Sequence, residues 1–396
     1  MTSIEQLHDV TVAPGSVIFV KAGTELTGDF AVFGYGTKDE PITVTTYGKS
    51  DKATTASFDG MTAGLTLKQA LKALGKDDAG WVVADSATAP ASRVYVPQDE
   101  ISVHAQSSQN SGAEAAKALD EMMAFGTTTC EAKSGYGLAT EHELKALRVI
   151  RDLDEQHPMD MVATFMGAHL VPAEYKANRA EYIRLVCEEM MPLVKEQGIA
   201  RFCDVFCEAD TFTVEESRQV LEAGLKYGLR PKIHADEIEA IGGSQLAGEL
   251  GAISAEHLIV CPPAGIEAMA KGGVIACLLP ATSFNLGAVF APARDMVNAG
   301  VPVAMATDFN PGSCPCLNMQ FVINLGCLKY RLTPEEVLTA VTLNGAAAID
   351  MADKVGTVEA GKLGDLVIWD APDLDYICYR FGSNLAKKVI KRGRVM

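Results

Sequence analysis

The sequence predicts an α/β chain: a (β/α)8 TIM-type barrel plus a small β-sandwich-like domain drawn from the chain ends. Three observations predict it. From residue 112 onward short apolar runs alternate with amphipathic helical stretches, several of those helices carry their own start signals, and both ends of the chain are β-rich and punctuated by glycine. The corresponding division is residues 1–100 as a β-rich N-terminal segment, 101–350 as the barrel, and 351–396 as the C-terminal strands of the small domain.

In chain order, Ser16–Lys21 and Pro41–Thr46 alternate as half-buried strands do, and Thr66–Leu74 is a helical stretch. Trp81–Ala84 and Arg93–Val96 return to strand character. The run Gly34-Tyr-Gly-Thr-Lys-Asp-Glu-Pro-Ile-Thr-Val44 faintly resembles the opening coils of parallel β-helix polysaccharide lyases. The barrel strands are expected at Thr127–Ala132, Met161–Met166, Phe202–Phe206, Pro231–Ile233, Ile253–Glu256, Val274–Leu279 and Val303–Ala306. Those are seven runs, so an eighth strand is expected upstream to close the barrel. Between them, Thr140-Glu-His-Glu143, Thr213-Val-Glu-Glu216 and Thr333-Pro-Glu-Glu336 each have the spacing of a capping box. Behind the first, Leu144, Leu147, Ile150 and Leu153 share a helix face. The uncharged stretch Gly272–Ala293 holds two prolines and several glycines, and reads as a buried strand followed by a loop rather than a membrane span. After Asp350 no further helix is expected, only antiparallel strands with glycine turns.

Charge narrows the function. With 34 Lys+Arg against 51 Asp+Glu the net charge is −17, which disfavours nucleic acid and anionic membrane as partners. A small-molecule substrate is expected instead. The N-terminus has neither a basic n-region nor an apolar h-region, and ten scattered cysteines form no Cys-x-x-Cys pair. Both point to the cytoplasm, with the thiols buried and free. Cys203, Cys207, Cys314 and Cys316 are read as packing residues.

The chemistry sits at the strand ends, where barrel enzymes keep catalytic groups. The first expected strand runs into Glu131-Ala-Lys-Ser-Gly-Tyr-Gly137, the second into Gly167-Ala-His169, and the fourth into His234-Ala-Asp-Glu237. The fifth ends at His257 and the seventh at Thr307-Asp-Phe-Asn-Pro-Gly-Ser313. Three histidines and two carboxylates converging on one face form a site rather than a set of satisfied polar residues.

These blocks, in their order and spacing, resemble the amidohydrolase superfamily and, within it, the imidazolonepropionase family, over about residues 112–396. The resemblance implies a barrel of the metal-dependent amidohydrolase kind and hydrolysis of the imidazolone ring of 4-imidazolone-5-propionate in histidine degradation. It implies a divalent zinc or iron ion with His234 and Asp308 as ligands, Glu237 as proton shuttle, and His257 as the group that orients or helps deprotonate water. Asp308 is thus both ligand and catalytic residue. Tyr136, His169, Asn310, Gly312 and Ser313 would surround the substrate, the Asn-Pro-Gly-Ser turn offering backbone N–H groups, and the enzyme would be a homodimer. Another cyclic-amide hydrolase or an aminohydrolase on the same barrel stays open.

One departure stands out. The superfamily opens its barrel with a His-x-His pair of metal ligands, and none of the seven histidines (His8, His104, His142, His157, His169, His234, His257) forms one. Either Ile101-Ser-Val-His-Ala105 is a re-aligned first strand with His104 in the second histidine's place, or the first hundred residues derive from elsewhere. A catalytically silent barrel is the reading that follows if no ligand replaces the pair.

Overall fold

The computed structural model describes residues 110–396 and, nearer the N-terminus, seven short strands. The chain divides into two compact units, Met1–His104 and Ala105–Met396. In the first, the strands are β1 (Thr11–Val12), β2 (Val17–Lys21), β3 (Phe33–Gly34), β4 (Ile42–Tyr47), β5 (Ala56–Phe58), β6 (Trp81–Ala84) and β7 (Val94–Pro97). β1 pairs with β3 and β2 with β4, both in parallel, while β4–β5 and β6–β7 are antiparallel. The expected helix at Thr66–Leu74, the upstream closing strand and His104 lie outside the described residues.

The second unit is built on a parallel sheet of seven strands: β8 (Thr129–Lys133), β9 (Asp160–Ala168), β10 (Phe202–Cys207), β11 (Arg230–Ala235), β12 (Ser254–His257), β13 (Ile275–Leu278) and β14 (Val303–Met305). Spatial order follows chain order from β8 to β14, the succession of a TIM-type (β/α)8 barrel. Each expected run is recovered within a few residues. Among the described residues, β8 and β14 pair on one side only, so they form the two edges of the curled sheet.

Helices pack on the outer face and seal it with large side chains. Phe165, Phe202, Phe212, Tyr182, Leu147, Met190 and Leu221 are fully buried, each contributing about 1.5–3 kcal/mol of burial. The boxes at Thr213/Glu216 and Thr333/Glu336 form reciprocally. The third does not. Thr140 opens its helix, Thr140–Gln156, without capping it, and Glu143 turns inward to other work.

Two further expectations are corrected. The segment after β13 is not a loop throughout: Pro280–Leu286 is helical, with Pro280 at its first turn and Gly287 at φ +64 closing it. Helix also returns after Asp350, at Leu374–Tyr379, capped by the Asp373 side chain accepting from the Tyr376 N–H at 2.8 Å. The antiparallel strands β15 (Leu366–Trp369), β16 (Ala386–Lys391) and β17 (Arg394–Val395) form the small sheet at the C-terminal end. Buried Lys391 joins it to the barrel through Asp160 of β9 (2.7 Å) and pairs within the small sheet's own end with Asp365 (2.5 Å). No described helix is long and apolar enough to cross a membrane.

Candidate active site

The C-terminal ends of the strands bring every residue expected at the site to one cavity. Tyr136, His169, His234, Glu237, His257, Asp308, Asn310, Gly312 and Ser313 all line it. Its volume, about 1230 Å³, exceeds what one small substrate needs. The reason is that it continues between the two edge strands, with Thr129–Lys133 and Ala304–Met305 both in its wall.

The backbone turns sharply where these side chains leave their strands. His257 has φ +69 and Asp308 φ +56, a left-handed conformation costing a non-glycine residue on the order of 1–2 kcal/mol. The cost is met by the packing around them and aims both side chains inward. The His257 Nε2 lies 3.5 Å from a Glu237 carboxylate oxygen, and its Nδ1 is buried with no partner among the described residues. Burial holds the His257 pKa below the usual histidine range against the opposing pull of Glu237 and Asp308. His257 is therefore a neutral imidazole, able to take a proton. The His234 ring sits 5.2 Å from it, centroid to centroid.

His234 is the better-anchored histidine. Its Nδ1 lies 3.1 Å from Asp204 Oδ1, leaving Nε2 for the cavity. Burial opposes its charge, but the Asp204 carboxylate outweighs that and raises its pKa. Asp308, on the far edge, accepts a 2.5 Å hydrogen bond from the Thr282 hydroxyl, so the unexpected helix after β13 has a role at the site. On the other wall the rings of Tyr136, His169, Phe206 and His234 follow one another at 5.0, 6.0 and 6.0 Å. The His169 Nδ1 is held 2.9 Å from the Gly135 carbonyl. Tyr136 is half exposed, and desolvation of its hydroxyl at the cavity wall, with Asp308 and Glu237 nearby, pushes it up to about 12, so it stays a neutral donor.

The Asn310–Ser313 turn differs from expectation in one respect. The Gly312 and Ser313 N–H groups already donate to Asn310 Oδ1 at 2.9 and 2.7 Å. The turn is thus stapled by its own asparagine, and those two N–H groups are not free for a ligand. Cys314 and Cys203 are buried, and all ten cysteines are free thiols.

Beneath the site lies a charged layer that motif reading missed. Lys133 Nζ contacts Asp204 at 2.8 Å and Glu131 at 2.9 Å, while Lys232 Nζ contacts Glu131 at 2.9 Å and Glu256 at 3.1 Å. Ser254 Oγ donates to Glu256 at 2.7 Å. Burial alone would raise the Glu131 carboxyl, yet the two lysines and the Thr164 hydroxyl bring it down to about 2. The signal was in the sequence as polar residues two apart within apolar strands: Glu131 and Lys133, Lys232 and His234, Ser254 and Glu256.

Donor chemistry decides where a cation fits. Asp204, His234 and Glu256 place ligand atoms within 4.8 Å of one another, but the Lys133 and Lys232 ammonium groups already engage those carboxylates. Higher up, the His234 Nε2 and the Asp308 carboxylate are donors suited to a divalent ion. The layer counts three carboxylates, Glu131, Asp204 and Glu256, against two ammonium groups, and Asp204, paired with Lys133, also faces His234. His234 and Asp308 both line the cavity, and catalytic zinc ordinarily takes about three ligands from protein.

Comparison with known proteins bears on this geometry. The amidohydrolase family model matches residues 103–396. The imidazolonepropionase of Alkaliphilus metalliredigens (strain QYMF) is 55% identical over 281 residues, covering 71% of this chain and 67% of the relative. That of Geobacillus sp. (strain WCH70) is 52% identical, covering 72% and 67%. Among solved structures, an adenosine deaminase from Xanthomonas campestris with bound zinc superposes at TM-score 0.59 and 19% identity over 75% of this chain and 72% of that one. A guanine deaminase from C. acetobutylicum superposes at 0.58 and 15%, over 73% and 76%. At such identities these two speak for the fold alone.

Proposed function

The chain belongs to the amidohydrolase family, among the imidazolonepropionases, and from that premise we propose that it opens the imidazolone ring of 4-imidazolone-5-propionate to give N-formimino-L-glutamate in histidine degradation. It is a hydrolase acting on a C–N bond of a cyclic amide. The observation that carries the reading is the convergence of His234, Glu237, His257 and Asp308 on one cavity.

In the proposed mechanism His234 Nε2 and Asp308 would hold a divalent ion, zinc or iron, whose chemistry when bound would be to lower the pKa of water at the site. The reaction forms a C–O bond at the ring carbonyl carbon and breaks its C–N bond, with one proton passing from water to the departing nitrogen. Glu237 carries that proton, being within reach of both the ligand histidine's strand end and His257. His257, kept neutral by burial, orients the water and takes up positive character as charge develops. Tyr136 and His169 flank the ring, Tyr136 as a neutral hydroxyl donor, and the stapled Asn310–Ser313 turn walls the far side. Ten free thiols support a cytoplasmic setting, and a homodimer is part of the proposal.

Turnover of synthetic imidazolonepropionate by the purified full chain, with the product identified by mass spectrometry, tests the reading. N-formiminoglutamate is the expected product. Deamination of cytosine or guanine without imidazolonepropionate turnover would move the assignment to an aminohydrolase, and inertness towards all three after metal addition would leave a silent barrel.

A further inference from the structure

The charged layer under the site has a geometry that singles out one residue. Asp204 is fully buried and three nitrogens surround it. Oδ1 accepts from the Val205 N–H at 2.8 Å and faces the His234 Nδ1 at 3.1 Å, while Oδ2 accepts from Lys133 Nζ at 2.8 Å. An ionised carboxylate only accepts hydrogen bonds, and an imidazole nitrogen facing it has to carry the hydrogen. We infer that Asp204 is a positioning residue that holds His234 as the Nδ1–H tautomer, with the Nε2 lone pair presented to the cavity, and that Lys133 and the Val205 N–H lock the carboxylate for that purpose.

The lock is built from three strands. Lys133 comes from β8, Asp204 from β10 and His234 from β11, and the lysine is itself fixed on its other side by Glu131 at 2.9 Å. Rotation of Asp204 would break two strong hydrogen bonds at once, so the imidazole orientation follows from the backbone of the sheet. The Phe206 ring, tilted edge-on with its centroid 6.0 Å from that of the imidazole, limits its swing from the side. A partner of this kind fixes ring orientation and raises the basicity of the nitrogen opposite, and its loss typically costs about 10–100-fold in metal affinity.

The ligand role of His234 rests on the proposed function, whereas its tautomer does not, so the test reads both. Metal-free full chain with ¹⁵N-labelled histidine is compared in the wild type, Asp204→Asn and Asp204→Leu, at alkaline pH where the imidazole is neutral. Two-bond ¹H–¹⁵N spectra report which nitrogen is protonated. The wild type is expected to show Nδ1–H. Asp204→Asn keeps an oxygen towards Val205 and His234 and is expected to retain that tautomer. Asp204→Leu removes the acceptor while leaving two carboxylates to two lysines, and is expected to shift His234 to Nε2–H. Zinc binding by chelator competition should then weaken about 10-fold in the Asn variant, which keeps the acceptor for His234 but loses the charge and the acceptor for Lys133, and about 100-fold in the Leu variant. A wild-type His234 with an unprotonated Nδ1, or a folded Leu variant with an unchanged tautomer, overturns the inference. Correct tautomers without zinc binding by the wild type would instead overturn the functional reading and leave the positioning role standing.

Discussion

Glu143 offers the most quantitative test of how the site loop is held. Its side chain is fully buried, and Oε1 accepts from the Gly137 N–H at 2.9 Å and the Leu138 N–H at 2.8 Å. That tightens the turn carrying Tyr136, in which Leu138 itself has φ +54 and a Cβ on Gly137 would meet His142 at 2.6 Å. Glu143→Ala deprives two backbone donors of a charged acceptor, each bond worth about 1.5–3 kcal/mol, with partial rehydration of a half-buried turn giving some back; the net loss is about 2–4 kcal/mol. Glu143→Gln keeps the accepting oxygen and removes the charge, so it should stay within about 1 kcal/mol of the wild type. Burial raises the Glu143 pKa above its ordinary 4.5 despite these bonds. Burial therefore penalises the ionised form relative to the protonated one. Its stabilising contribution is present below 4.5 and is lost as pH rises through the folded-state value, so any advantage of Gln is largest at neutral pH and disappears in acid. Urea denaturation of both variants at neutral and acid pH, with KM measured alongside, is the assay; the Ala variant should raise KM more than it lowers kcat. An Ala variant within about 0.5 kcal/mol of the wild type, or a Gln variant worse than Ala, would refute the reasoning.

Two further outcomes follow from the buried charges. The Glu131 carboxyl, lowered to about 2 by Lys133, Lys232 and Thr164 against burial, contributes stability present above 4.5 and lost as pH falls towards 2. Glu131→Gln should cost about 3–5 kcal/mol at neutral pH, and its gap from the wild type should close across that acid window in pH-dependent urea melts. Lys391→Met leaves Asp365 buried without its ammonium partner, while Asp160 keeps Arg392. The loss should be about 3 kcal/mol by the same assay, and adding Asp365→Asn should recover most of it.

Much of the barrel was legible because its two periodicities are clean. The runs at Phe202–Phe206 and Val303–Ala306 became β10 and β14, and the boxes at Thr213 and Thr333 formed as spaced. The box at Thr140 failed because Glu143 meets stronger demand from two loop N–H groups than from its own helix end. The helix at Pro280–Leu286 was hidden by reading Pro280 as a breaker, although proline at the first turn and glycine just past the last is how a short helix is bounded. At the site, the residues expected from strand ends share one cavity, yet the layer beneath them stayed unread. Glu131, Lys133, Asp204, Lys232 and Glu256 sit inside strands that pattern as core, and only the three-dimensional pairing shows that their charges satisfy one another. The chain's lack of a His-x-His pair was plain from sequence, and with His234 and Asp308 the two ligands the proposed function assigns, it is the decisive feature for activity.

Metal content and turnover measured on one preparation test the central claim most directly. The full chain is loaded in turn with zinc and with iron(II), desalted, assayed for bound metal, and then given imidazolonepropionate. The account predicts a near-stoichiometric ion and ring opening, both lost in His234→Ala and in Asp308→Ala. Turnover by metal-free protein that survives the His234 substitution, or neither ion nor turnover with either metal, would contradict it.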